Sequence, residues 1–247
     1  MFLRPRRFQD GEQITVAGVA VRLIVNARAR RVSLRLDPAR GQVVATAPSI
    51  RRLADAAAFA GQRAEWIVRQ SQRIRPPSPL HEGASLTILG AEHRLEQAGA
   101  RRLQGLADGT PRRLRVHATP EAFAAATVRL LKAEALRHLT GRTHQVAGRL
   151  GHPPPKVGIG DARTRWGSCT QPRGAQPASI RYSWRLLLAP AAVCDYVVAH
   201  ECAHLVHADH SERFWSLVAE LYGDPRRERA WLKAHGAALH AIGAPLT

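Results

Sequence analysis

The chain has 247 residues, of which 45% are hydrophobic, and its formal net charge is +18. This apolar content can fill a core, which excludes intrinsic disorder as the main state. No apolar run reaches the roughly 18 residues that span a bilayer, so we expect neither a membrane span nor a signal peptide. The three cysteines have no regular spacing, which disfavours a disulfide framework and predicts a reducing, cytoplasmic location.

The chain is predicted to begin with a small antiparallel sheet. Apolar and polar residues alternate over residues 13–24, 31–36 and 42–47, which is typical of strands with one buried face. A turn is predicted at residues 39–41, between the last two strands.

A helix and three further strands are predicted next. After Ser49 the apolar spacing becomes helical, and the prolines at 76, 77 and 79 end this helix and begin a linker. Three short strands follow, over residues 86–89, 92–95 and 113–116.

Two helices dominate the predicted second half. Pro120 opens the first, whose apolar residues recur at steps of three and four up to Gly151. The chain then turns to β structure, with its longest predicted strand over residues 179–188. Pro190 opens the second helix, which is predicted to end near residues 208–209.

The second helix carries the sequence His-Glu-Cys-Ala-His, an HExxH motif, at residues 200–204. Four residues advance an α-helix by a little more than one turn, so His200 and His204 project from one face and can share a zinc ion. Glu201 can then reach a metal-activated water as general base. Chance produces this motif in a chain of such composition with a probability of about a few per cent.

A catalytic zinc site takes a third protein ligand, for which three residues compete. His207 shares the helical face, but it lies about 10 Å along an unbroken helix from His200, too far for one ion. His210 is better placed if the helix ends and the chain folds back toward Ser211, which caps a new helix. Glu220, on that new helix, is the fallback ligand.

Several segments together resemble the YgjP-like metallopeptidases, which are related to the SprT and WLM families of zincin-like proteins. They are R-T-R-W-G-S-C at 163–169, S-I-R at 179–181, L-L-L-A-P at 186–190, D-Y-V-V-A-H-E at 195–201, H-S at 210–211 and F-W at 214–215. The resemblance covers most of the chain. It implies that His200, His204 and His210 are the zinc ligands and that Glu201 is catalytic.

The sequence departs from the family pattern at two positions. Cys202 replaces a leucine, and it is predicted to be a small core residue that points away from the histidines. Asp209 replaces an asparagine before the third histidine, where it could orient His210 or change the turn.

The roles of five other residues stay open at this point. Cys169 is more typical of a buried residue than of a zinc ligand. Arg163, Arg165 and Arg181 fit either a patch for an anionic substrate or solvated strand positions. Tyr182 is a candidate for stabilising the oxyanion, as is the His207 already considered.

The pattern and the resemblance together predict an α+β fold. A β-rich region with one helix is expected over residues 1–118, and a zincin-like catalytic domain over residues 119–247. The strand at 179–188 precedes the motif helix. In zincins the strand in this place is the edge strand, with which an extended peptide can pair.

The predicted function is zinc-dependent hydrolysis, with a peptide or protein as substrate. A metal-dependent nucleoside triphosphate pyrophosphatase or phosphohydrolase is the first alternative, because arginines near a metal suit phosphates. The second alternative is a DNA-associated zinc-binding module, because the net charge of +18 favours nucleic acid and other polyanions. An open three-histidine site argues against that module, since structural zinc sites normally have four ligands.

Overall fold

The computed structural model describes residues 7–37, 42–71, 80–162 and 164–243. Sheets and helices both occur, and the predicted α+β class is confirmed. The chain forms two compact units, residues 1–78 with 240–247 and residues 79–239. The predicted division at residues 118 and 119 stays a prediction. Within the described ranges, no helix is both long enough and apolar enough to cross a bilayer.

The first unit contains a four-stranded sheet. Its strands are β1 (Gln13–Val16), β2 (Val19–Val25), β3 (Ser33–Asp37) and β4 (Gln42–Ala47), in the order β1-β2-β4-β3. Strands β2 and β4 are parallel, so the prediction of a purely antiparallel sheet is wrong. Alternation identifies strands but not their partners, and here β3 occupies the far edge while β4 returns beside β2.

The helix predicted after Ser49 is present, divided at Arg63. Its two parts are α1 (Leu53–Gln62) and α2 (Ala64–Ser71). Leu53, Ala60 and Ile67 are fully buried and join the apolar core with the β2 and β4 side chains. The turn predicted at residues 39–41 and the prolines at 76, 77 and 79 lie outside the described residues.

The second unit begins with another four-stranded sheet. Its strands are β5 (Ser85–Ile88), β6 (Ala91–Gln97), β7 (Gly105–Ala107) and β8 (Arg113–Val116), in the order β5-β6-β8-β7. Three of these strands were predicted. Strand β7 has only three residues, too few for an alternating pattern to be recognised.

Helix α3 (Phe123–Arg149) follows, and its buried residues recur along one stripe as predicted. It packs near a three-stranded sheet of β9 (Lys156–Gly160), β10 (Gly167–Thr170) and β11 (Ser179–Ser183), in the order β10-β11-β9. The strand predicted over residues 179–188 therefore stops at Ser183. A buried 3₁₀ helix, Trp184–Leu188, replaces its second half. The short, mostly apolar sequence of this segment does not distinguish strand from helix.

Strand β11 is the middle strand of this sheet, so the expectation that it is an edge strand is wrong. The edge strands are β9 and β10, and β10 packs against the motif helix α4 (Ala191–Ala203). Pro190 precedes α4 as predicted. The helix ends at Ala203, earlier than expected, and α5 (Glu212–Leu221) and α6 (Arg226–Ala241) complete the fold.

Candidate metal centre

The three histidines predicted as ligands lie together. His200 comes from the last turn of α4, His204 is the residue that caps the C-terminus of α4, and His210 comes from the segment before α5. One ligand nitrogen from each lies within 4.8 Å of the others, so the group could hold a metal ion. The early end of α4 allows this arrangement, since the chain has five residues in which to turn back between His204 and His210.

The spacing and chemistry of these nitrogens fit zinc. Nε2 of His200 and Nε2 of His210 are 3.3 Å apart. Two nitrogens bound to zinc at about 2.1 Å in a tetrahedron lie roughly 3.4 Å apart. Three imidazoles are also a usual donor set for a catalytic zinc.

A backbone hydrogen bond orients His204. Its Nδ1–H donates to the carbonyl oxygen of His207 over 3.0 Å, which leaves Nε2 with a free electron pair. The side-chain amide of Gln171 donates to the carbonyl of His204 and ties the end of α4 to the segment after β10. His207 therefore contributes through its backbone, and its side chain is not in the histidine group.

Burial keeps His200 in the neutral form that binds metals. It lowers the pKa of His200 to about 4, with further lowering by His204, His210 and Arg229. Burial also lowers the pKa of His204, an effect partly opposed by its bond to His207. At neutral pH, the His200 imidazole is therefore unprotonated before any metal binds.

Phe214 forms an apolar support for the three rings. It is fully buried in α5, and its ring centroid lies 4.9 Å from that of His200, 4.5 Å from His204 and 4.8 Å from His210. Trp215 lies beside it at 5.2 Å, and the guanidinium of Arg229 lies 5.1 Å from the Trp215 ring. This packing restricts the imidazoles to the orientations that bring their nitrogens together.

Glu201 is a buried carboxyl group beside the histidines. Glu201 is only 5% exposed. Burial raises the pKa of its carboxyl group to about 7, an effect that Arg165 partly opposes. A group with such a pKa can both accept and donate a proton near neutral pH.

Glu201 fits only because residue 167 is glycine. A Cβ atom at Gly167 would lie 2.5 Å from Cγ and 2.6 Å from Cδ of Glu201, closer than atoms in contact can approach. Sequence reasoning missed this role, although Gly167 stands inside the R-T-R-W-G-S-C segment. The role of Gly167 follows from the contact between β10 and α4, and the sequence does not reveal that contact.

The histidines and Glu201 open into a cleft of about 390 Å³. Its other wall is β10 and its flanks, including Arg165, Gly167, Cys169 and Gln171. Trp166 O accepts a bond from Ser183 N over 2.8 Å. In an antiparallel pair of strands, residues that bond to the partner strand alternate with residues that do not. The backbone N–H and C=O groups of Gly167 and Cys169 therefore point away from β11 and toward the free edge of β10.

Three other candidate residues lie outside the histidine group. Burial and then Glu201 raise the pKa of the Cys169 thiol to about 11, which keeps it protonated. Glu220 is exposed on α5. Asp209 accepts a hydrogen bond from Ser211 N over 3.2 Å and so shapes the turn into α5.

Two further candidates are placed in the core. The hydroxyl of Tyr182 lies 3.0 Å from that of Thr143, inside the protein rather than in the cleft. Cys202 is fully buried, as predicted. Of the arginine patch, Arg165 borders the cleft, Arg181 borders an adjoining pocket, and Arg163 lies outside the described residues.

An HExxH helix beside a short sheet in an α+β domain defines the zincin-like class, and this chain has that fold. The chain belongs to the YgjP-like family, whose metallopeptidase-domain model matches residues 30–235. The family named from the sequence is thereby confirmed. No curated protein and no solved structure matches the chain.

Proposed function

We propose that the protein is a zinc metallopeptidase in which His200, His204 and His210 hold the metal and Glu201 is the general base. The proximity of the three ligand nitrogens to one another is the observation that carries this proposal. Membership of a metallopeptidase family supports it independently. The neutral state of His200 and the orientation of His204 Nδ1 support the choice of ligand atoms.

Glu201 would move the proton in peptide hydrolysis. A bound zinc ion supplies a Lewis acid that activates water and polarises the scissile carbonyl. The Glu201 carboxylate takes the proton from the attacking water and delivers it to the leaving amine. Its raised pKa, near 7, suits both steps. Close packing of the Glu201 side chain against Gly167 holds the carboxylate in one place.

The substrate would bind as an extended strand on β10. The free edge of β10 lines the cleft, and its outward backbone groups at Gly167 and Cys169 can pair with a peptide. Backbone pairing is independent of the peptide's side chains, so an unstructured polypeptide is the substrate class that fits.

The test is cleavage of an unfolded protein by zinc-loaded wild type and by Glu201→Gln. We expect the wild type to cut it and the variant to lose at least about a thousandfold in rate while retaining zinc, because the change removes the base and no ligand. A parallel panel of nucleoside triphosphates tests the alternative. Phosphate or pyrophosphate release that depends on Glu201, without peptide cleavage, would contradict the proposal.

A further inference from the structure

A second pocket adjoins the metal-site cleft. It has a volume of about 230 Å³ and shares Arg165, Gly167 and Ser168 with the cleft. Ser168 pairs with Arg181 across β10 and β11, so these two side chains lie on the same face of the sheet. The neighbouring pair, Gly167 and Tyr182, faces the core and Glu201.

Positive charge dominates the lining of this pocket. No hydrogen bond or ion pair to another described residue occupies the guanidinium of Arg165 or Arg181. The acidic residue in the lining is Asp161, which is paired with the buried Arg185. Two cationic groups are therefore available to a ligand.

The sheet is shaped to hold Arg181 in this position. Arg181 lies across β9, where a Cβ atom at Gly160 would be 3.2 Å from its Cδ and one at Gly158 would be 3.8 Å from its Nε. Both positions are glycine, so the side chain has room to extend over the strand.

An unpartnered buried hydroxyl completes the pocket. Ser183 is only 2% exposed and lines the pocket, and its Oγ has no hydrogen-bond partner among the described residues. Buried hydroxyl groups normally have a partner, so the Ser183 hydroxyl is an unsatisfied polar group in the wall of this pocket.

We propose that this pocket binds the carboxylate of an aspartate or glutamate side chain in the peptide substrate. The proposal rests on the proposed peptidase function and names its substrate preference. Arginine guanidinium groups, here those of Arg165 and Arg181, bind carboxylates through paired, charge-assisted hydrogen bonds. Because the pocket and the cleft share three residues, and a strand advances about 3.3 Å per residue, the acidic residue lies within about two positions of the scissile bond.

The experiment compares zinc-loaded enzyme on matched peptides that carry glutamate or glutamine at each position near the cut. We expect wild type to prefer glutamate at one position by about tenfold in kcat/KM, which is the scale of one charge-assisted bond. In Arg181→Gln this ratio should fall to about one. In Arg181→Glu, a lysine peptide should be preferred instead. Arg129→Gln, an exposed change on α3, should keep the wild-type ratio.

Four results would overturn the inference. Equal cleavage of both peptides by wild type would contradict it while leaving the peptidase function standing, as would a preference that survives in Arg181→Gln. Cleavage of neither peptide by zinc-loaded wild type would contradict the peptidase function itself and remove the basis of the inference. Nucleotide hydrolysis that is lost in Arg181→Gln would assign the pocket to a phosphate.

Discussion

Glu201 combines a proposed chemical role with a cost in stability. Its pKa in the folded, metal-free protein is about 7, compared with 4.5 for the ordinary group. Below pH 4.5 both states are protonated and there is no penalty. Between pH 4.5 and 7 the unfolded state has lost its proton while the native state retains it, so the native state is progressively destabilised, by about 3 kcal/mol above pH 7.

We therefore expect metal-free Glu201→Gln to be more stable than metal-free wild type at pH 8 by about 3 kcal/mol and equal to it at pH 4. Urea unfolding in the presence of a chelator measures this difference. Glu220→Gln, at an exposed position on α5, is the matched control and should change little at either pH. A difference independent of pH would mean that the buried charge is not its cause.

His207 and His210 were both considered as the third ligand, and we expect their removal to affect zinc affinity differently. His210→Ala removes a nitrogen from the histidine group and should weaken zinc binding by at least about a hundredfold. His207→Ala retains the backbone carbonyl that orients His204, so it should change zinc affinity only slightly. Competition with a chromogenic chelator measures both. Equal losses in the two variants would place the His207 side chain at the metal.

The residues of the candidate metal site were easier to predict than the contacts that hold them in position. The HExxH spacing and a downstream histidine were sufficient to name His200, Glu201, His204 and His210, which the fold brings together. The support from Phe214 and the bonds from Gln171 and to the His207 carbonyl were not predicted. These contacts join separate segments, and no local pattern in the sequence encodes them.

At the scale of elements, the contact between β10 and α4 decides whether the site can form. Gly167→Ala should retain zinc, because no ligand changes, but it should lower peptide cleavage at least about a hundredfold by displacing Glu201. Zinc content and kcat/KM on the same preparation check this expectation.

Gly141→Ala on α3 is the control, since a Cβ atom there meets nothing within 4 Å. It should retain full activity, and it is a direct comparison for Gly167→Ala because the chemical change is identical. Unchanged cleavage by Gly167→Ala would mean that Glu201 can shift without loss of function.

Helices and strands whose apolar residues recur at a clear period were predicted well. The pairing of the strands was not. Helices α3 and α4 begin close to Pro120 and Pro190, as their spacing indicates. The parallel pairing of β2 with β4 and the central position of β11 depend on contacts between distant segments. The 3₁₀ helix Trp184–Leu188 was missed because all five of its residues are buried, which removes any periodic signal.

At the scale of the whole molecule, the net charge of +18 should produce non-specific binding to polyanions. Counterion release makes such binding depend steeply on salt, so affinity for single-stranded DNA should fall at least about a hundredfold between about 50 and 200 mM salt. Fluorescence anisotropy of a labelled oligonucleotide measures this. Binding that is insensitive to salt would indicate a specific nucleic-acid site instead.

The central claim is that the histidine group holds one zinc ion and that Glu201 acts beside it without ligating it. Elemental analysis of protein purified without chelator tests this most directly, using wild type, Glu201→Gln and His204→Ala. The account predicts about one zinc per chain in the first two proteins and almost none in the third. Absence of zinc from wild type, loss of zinc in Glu201→Gln, or full zinc in His204→Ala would contradict it.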